Sequence, residues 1–264
     1  MKKFILLFLL FVSLQGISQK QYRISSIISD DCNNSILYVY DSELGTKLLS
    51  VKYEDMTNNL FYDNDERLIK MENYYSDNTS STIEYTYNSK GLLLTVYNKS
   101  NGETINTTSY TYDNQDLLIS LKDNSSYTEL KYNNNGLIEE KIVSYFANEN
   151  VVSQNKSVFF YENNKLIKSM SYYKNGNEWQ LNPLYIIYEY DALGNCKSIL
   201  YIQDDNVVYK TDYEFYEDIK YDDVYYFVNP SLVDPEPSYV NAISKSIISY
   251  SNSSPCTNLY TYEN

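Results

Sequence analysis

One short phrase recurs along the chain and constrains its fold more than any other feature. It is an apolar or aromatic residue, one intervening residue, a tyrosine, and then Asp, Asn or Glu. It reads LFYDNDERL around Tyr62, YTYNSKGLL around Tyr87, YTYDNQDLL around Tyr112, LKYNNNGLI around Tyr132, FFYENNKLI around Tyr161 and YEYDALGNC around Tyr190. Weaker copies stand at Tyr40, Tyr216 and Tyr262. From Tyr40 to Tyr190 the steps are 22, 25, 25, 20, 29 and 29 residues, each long enough for two ordinary strands and two short loops. Residues two apart in a strand share a face. The pairs Tyr38/Tyr40, Leu60/Tyr62, Tyr85/Tyr87, Tyr110/Tyr112, Leu130/Tyr132, Phe159/Tyr161, Tyr188/Tyr190 and Tyr260/Tyr262 therefore line one face, while Thr86, Thr111, Lys131, Glu189 and Thr261 point the other way. That alternation is the signature of a sheet packed on one side.

A turn follows each tyrosine. Asn88-Ser89-Lys90-Gly91 places Asn first and Gly fourth, the preference of a type I turn closed by a left-handed residue. Gly136 and Gly194 fill the same slot, with Glu66, Asp116 and Lys165 standing in elsewhere. A side chain there costs about 1–2 kcal/mol if the left-handed conformation is kept, so those turns are expected to be looser. Leu92-Leu93-Leu94, Leu117-Leu118-Ile119, Leu137-Ile138 and Leu166-Ile167 begin the returning strands. Asn101-Gly102 and Asn175-Gly176 mark hairpins at the opposite end, and Gly45 lies in the turn of the first weak copy. The chain is thus expected to be all-β, an antiparallel meander of tandem hairpins. Eight or nine copies give roughly 15–18 strands, too many for a flat open sheet, so twist should curl the meander into a half-barrel or a barrel.

Tyr-Asp-x-x-Gly followed by Arg, Asn or Leu and then Leu or Ile resembles the YD repeat of RHS-type proteins, most closely in YEYDALGN at Tyr188 to Asn195. With a signal segment and modest length, the chain also resembles small exported bacterial proteins of unknown function built from YD-like repeats. For these the resemblance implies a porin-like or half-barrel β fold and no catalytic residues. It covers about Tyr38 to Asn264.

The ends speak of export. Lys2 and Lys3 precede an apolar run from Phe4 to Val12, and Gly16 and Ser18 form a small-x-small cleavage site. Residues 1–18 read as a signal peptide, and 19–264 as a single repeat domain with a loop excursion at about 229–238, where Pro230, Pro235 and Pro237 forbid a ladder. The expected location is the periplasm, the outer surface or the extracellular space. Export permits a disulfide, with Cys32 and Cys256 as the candidate pair if the fold brings its ends together, while Cys196 replaces a repeat leucine and reads as a buried thiol.

Composition excludes several functions. There is no histidine, which removes imidazole triads and His-liganded metals. A net charge of -14 opposes nucleic-acid binding. No cofactor is expected. Asp63, Asp65 and Glu66, and the pairs Asp204/Asp205 and Asp222/Asp223, lack the spacing of a calcium loop and read as turn carboxylates, leaving only weak surface Ca2+ binding. The functional expectation is a non-catalytic secreted or cell-surface protein, structural or ligand-binding, with a glycan or an envelope protein as partner. Trp179 with Tyr172, Tyr173 and Tyr185 is the densest aromatic cluster and the candidate stacking surface. The alternative is an outer-membrane barrel, although membrane insertion is not the favoured reading, and a two-carboxylate glycoside hydrolase is a distant third.

Overall fold

The computed structural model describes residues 22–30, 35–41, 47–221, 224–225, 233–250 and 255–263. The signal segment, Cys32, Gly45, Asp222, Asp223, Asn229 and Pro230 lie outside the described residues. The strands are β1 (Tyr22–Asp30), β2 (Ile36–Tyr40), β3 (Leu48–Lys52), β4 (Met56–Tyr62), β5 (Leu68–Tyr75), β6 (Ser80–Tyr87), β7 (Leu93–Ser100), β8 (Glu103–Tyr112), β9 (Leu118–Lys122) and β10 (Ser126–Tyr132). They continue as β11 (Ile138–Ala147), β12 (Asn150–Glu162), β13 (Lys165–Asn175), β14 (Glu178–Tyr190), β15 (Cys196–Gln203), β16 (Asn206–Lys220), β17 (Val224–Tyr225), β18 (Asn241–Tyr250) and β19 (Cys256–Glu263). Each strand from β1 to β16 pairs antiparallel with the next; β16 then pairs with β18, β18 with β19, and β19 with β1. Eighteen strands thus close into one antiparallel barrel. The short β17 adds a parallel pairing to β1.

The seam forms where the last copy of the motif meets the first strand. Ile24 faces Tyr262, Ile27 faces Tyr260, and pairing runs on to Asp30 against Thr257. On its other side β1 holds β2 through only two residue pairs, Ser26 with Leu37 and Ile27 with Ile36.

The local chemistry of each repeat explains the regularity. After Tyr62, Tyr87, Tyr112 and Tyr132 the Asp or Asn side chain accepts two backbone N–H groups, two and four residues on. Asp63 Oδ1 takes those of Asp65 and Arg67, and Asn88 Oδ1 those of Lys90 and Leu92. Asp113 and Asn133 repeat the pattern. This satisfies donors that a tight reversal would otherwise leave bare. The slot four residues after each of these four tyrosines is left-handed whether or not it is glycine: φ is +81° at Gly91 and +75° at Gly136, but also +61° at Glu66 and +65° at Asp116. The expected loosening does not occur. Those turns keep the same closing hydrogen bonds, from Glu66 N to Asp63 O and from Asp116 N to Asp113 O, and absorb the cost.

Two sequence expectations are corrected. Lys165 is not in the left-handed slot: the Tyr161 copy is one residue shorter, its turn is Asn163-Asn164 with φ of +50° and +62°, and Lys165 is already paired with Glu162. Nor is Tyr216 followed by a reversal, because β16 runs straight on to Lys220.

Every motif turn is followed by a bulge, and this sets which residues face inward. Tyr87 pairs with Leu93 and Thr86 with Thr95, leaving Leu94 as the extra, exposed residue. Inward positions on the returning strand therefore fall at Leu93 and Val96, at Leu68 and Met71, and at Leu118 and Leu121. Side chains converge on the concave face of a closed sheet and diverge on the convex one, so the buried face is the inner one. Its core is a continuous carpet over β2–β8 comprising Tyr40, Leu48, Val51, Leu60, Leu68, Met71, Tyr85, Leu93, Val96 and Tyr110, with Leu118 and Leu121 of β9 packed against it.

Tyrosine builds this carpet because its ring can lie along the sheet and its hydroxyl can bind the wall. The hydroxyls of Tyr62, Tyr87, Tyr112, Tyr132, Tyr161 and Tyr190 donate to the carbonyls of Leu48, Leu68, Leu93, Leu118, Ile138 and Leu166, at 2.7–2.9 Å. In five of the six the acceptor opens the strand that follows the turn of the preceding repeat; for Tyr190 it is the second residue of β13. Tyr262 does the same to Ile243. Cations at the turn edges complete the stack: Lys47 lies over Tyr62, Arg67 over Tyr87 and Lys165 over Tyr190, each 5.2 Å from the ring centroid.

Candidate functional site

The proline-bearing segment 233–240 departs from the ladder and crosses the inner face. Pro235 and Pro237 have no N–H to give to a strand, so the segment stays a separable strap. Its C-terminal half is firmly held. Asn195 Oδ1 accepts the N–H groups of Val240 and Asn241, both at 2.7 Å, and its amide donates to Asp191 at 3.0 Å. Asn241 in turn donates to the carbonyls of Tyr216 and Glu217. Both asparagines are buried. The Cys196 N–H donates to Ser238 O, and Tyr239 packs its ring against Tyr213, Phe215 and Tyr221 at 5.5–6.1 Å. Burial raises the pKa of Tyr239 and Tyr213 well above the ordinary phenol value.

The N-terminal half of the strap reaches across to β11. There Lys141, which faces Leu130 and so points inward, forms an ion pair with Asp234. Beneath Asp234 and Pro235 lies a cavity of about 440 Å³. The rings of Phe159, Tyr188 and Tyr201 and the hydroxyl-bearing Ser157, Ser169 and Ser171 line it, with Leu184 and Ile186. Burial raises the Tyr188 pKa, partly opposed by a hydrogen bond with Ser169. A pocket of this size, mixed aromatic and hydroxyl in character with one cation at its rim, can hold a small polar ring compound.

The aromatic cluster anticipated from sequence is split by the pleat. Tyr172, Trp179 and Tyr185 lie on the outer face; Tyr173, one residue on from Tyr172, faces inward opposite Asn155. Lysines that the sequence did not single out sit over the outer rings: Lys156 Nζ is 5.0 Å from the centroids of Tyr172 and Trp179, Lys174 is 5.3 Å from Trp179, and Lys168 is 4.6 Å from Tyr185. A stacking ligand would have to share those faces with ammonium groups.

Cys256 is disulfide-bonded and its expected partner Cys32 lies outside the described residues, while Cys196 is a free, wholly buried thiol whose pKa burial pushes up to about 12. Among the carboxylates considered for calcium, Asp63 is taken up by its own turn and by Arg67, 2.7 Å away, which hold its pKa below the usual range. Asp204 and Asp205 are the left-handed pair of a two-residue hairpin. Asn195, Lys141 and Asp234 were missed by sequence reasoning; only Asn195 left a trace, as a polar residue where Leu92, Leu117 and Leu137 stand in other copies.

No protein-family profile and no curated protein sequence matches the chain. Solved structures similar to it include the Photorhabdus luminescens Tc holotoxin pore (TM-score 0.34, 12% identity, 81% of this chain) and the TcdB2-TccC3 complex (TM-score 0.37, 12% identity, 89% of this chain). This chain spans only 13% and 15% of their lengths. A porin-like protein from Bacteroides vulgatus is similar over 92% of this chain and 99% of its own (TM-score 0.43, 9% identity). At these identities and TM-scores, none of the likenesses bears on activity.

Proposed function

We propose that this is a water-facing, non-catalytic barrel of YD-like repeats, exported to the cell envelope or beyond, with a structural or glycan-binding role. The division of polarity between the two faces carries the reading. The buried rings and aliphatic side chains lie mostly on the inside, interspersed with hydroxyl and amide side chains such as Asn73, Thr108 and Thr128, whereas the outer face bears ion pairs in mid-strand. These are Lys70–Glu72 at 2.8 Å, Lys99–Glu84 at 2.6 Å, Lys210–Asp212 at 2.9 Å, Lys245–Glu214 at 2.9 Å, and Glu140 between Lys131 and Lys156. A lipid-embedded barrel has the opposite arrangement, and a lysine on its lipid face costs about 2–4 kcal/mol at the bilayer midplane. In water the same pairs are close to neutral for stability and favour solubility. The chain from Gln19 onward should be recovered from aqueous buffer without detergent, monodisperse and with a β-type circular dichroism spectrum. Recovery only in detergent, with heat-modifiable gel mobility, would instead support the outer-membrane reading.

A further inference from the structure

We propose that the cavity under the 233–240 strap binds a carboxylate-bearing sugar, of the uronic acid type, and that Asp234 is a built-in competitor for the ligand's carboxylate. This rests on the water-facing reading above, in which the lumen is open to solutes. Eighteen strands enclose more space than wall side chains fill, and the strap covers part of that space without joining the ladder.

Lys141 stands out on the inner wall. Its strand neighbours facing inward are Ile138 and Val143, and across the ladder it meets Leu130 and Ser157. A cation there is costly unless it is paired. Its ion-pair partner comes from the strap, and the two ends of that pair differ: Lys141 is 17% exposed and Asp234 65%. The contact is thus a latch with one rooted end and one solvated end. It is a contact of modest strength, which a second carboxylate can replace at the same ammonium.

The rest of the cavity describes the rest of the ligand. Phe159, Tyr188 and Tyr201 offer ring faces, on which the C–H face of a pyranose stacks. Ser157, Ser169 and Ser171 offer hydroxyls that donate and accept. A purely apolar acid would leave those hydroxyls against hydrocarbon, whereas a neutral sugar would leave Lys141 to Asp234. A hydroxylated ring with one carboxylate satisfies both sets.

The test is calorimetric titration of the detergent-free full-length barrel with glucuronate, glucose and cyclohexanecarboxylate. Glucuronate should bind at least about ten-fold more tightly than either control, since a charge-assisted hydrogen bond and a set of hydroxyl contacts are each lost in one of them. Asp234→Asn, at an exposed position, should tighten glucuronate binding about five-fold and leave glucose unchanged, because the competing state is removed. Lys141→Met should abolish the preference for the acid, and Lys141→Gln serves if that variant does not fold. Equal affinity for the three probes, no binding to either the wild type or Asp234→Asn, or equal tightening of glucose would overturn the proposal. Detergent dependence before any ligand is added would count against the water-facing reading, so the two failures are distinguishable.

Discussion

At the scale of single residues the fold depends on tyrosine being two things at once, a ring that covers the sheet and a donor that binds it. Tyr112→Phe keeps the ring and removes only the bond to Leu93 O. It should cost about 1–2 kcal/mol in denaturant unfolding, because a carbonyl in the wall loses its partner. Burial also makes these phenols poor acids: Tyr85, Tyr110 and Tyr161 are pushed up to about 12 from 10.0. The folded state then holds protons that the unfolded chain releases. Stability from these groups is whole below pH 10 and is lost as pH climbs toward 12. The part of the tyrosinate absorbance that comes from buried rings should accordingly appear in one cooperative step together with loss of β signal, and complete ionisation of all the tyrosines with the β signal intact would contradict it. The turns allow a sharper comparison. Glu66→Gly should stabilise by about 0.5–1 kcal/mol by relieving a left-handed side chain. Gly136→Ala should destabilise by a similar amount through backbone strain alone, since no atom lies within 4 Å of the added Cβ. Reversals after Tyr62, Tyr87, Tyr112, Tyr132 and Tyr190 were legible in sequence because Asp or Asn and the left-handed slot are local chemistry. The bond from each hydroxyl to the previous repeat was not, because its acceptor lies 14–24 residues upstream and becomes a neighbour only once the sheet order is known.

At the scale of elements, the bulge after each motif turn explains why the candidate site escaped the sequence. Counting by two from Ile138 puts Glu140 inside; the bulge shifts the parity and brings in Lys141 instead. The prolines of the strap say that it cannot be a strand, but they carry no information on whether it folds outward or into the lumen. That direction is set by Asn195, whose side chain takes two strap N–H groups. Restoring the leucine of other copies, Asn195→Leu, should cost about 2–4 kcal/mol by leaving both donors unpaired. It should also make Cys196, now wholly buried, react with thiol reagents in the otherwise folded protein; continued inertness of that thiol would show that the strap is held elsewhere.

At the scale of the whole molecule, repetition and closure solve different problems. Each repeat buries its rings only against its neighbours, so an open array would expose two ladder edges, the usual templates for aggregation. Joining β19 to β1 removes both edges, and the twist of so many strands brings the chain's ends to where they can meet. The sequence limited the outcome to a half-barrel or a closed one, because strand number and twist can be read from repeat length, whereas closure depends on a register that only the assembled sheet defines. Amide hydrogen exchange resolved to single residues in β1 and β19 tests this most directly. Closure predicts that the paired amides from Ile24 to Asp30 and from Thr257 to Tyr262 exchange as slowly as those in the middle of β6–β8. Exchange at the rate of frayed edge strands, with β6–β8 still protected, would mean that the sheet is open and that the lumen on which the candidate site depends does not exist.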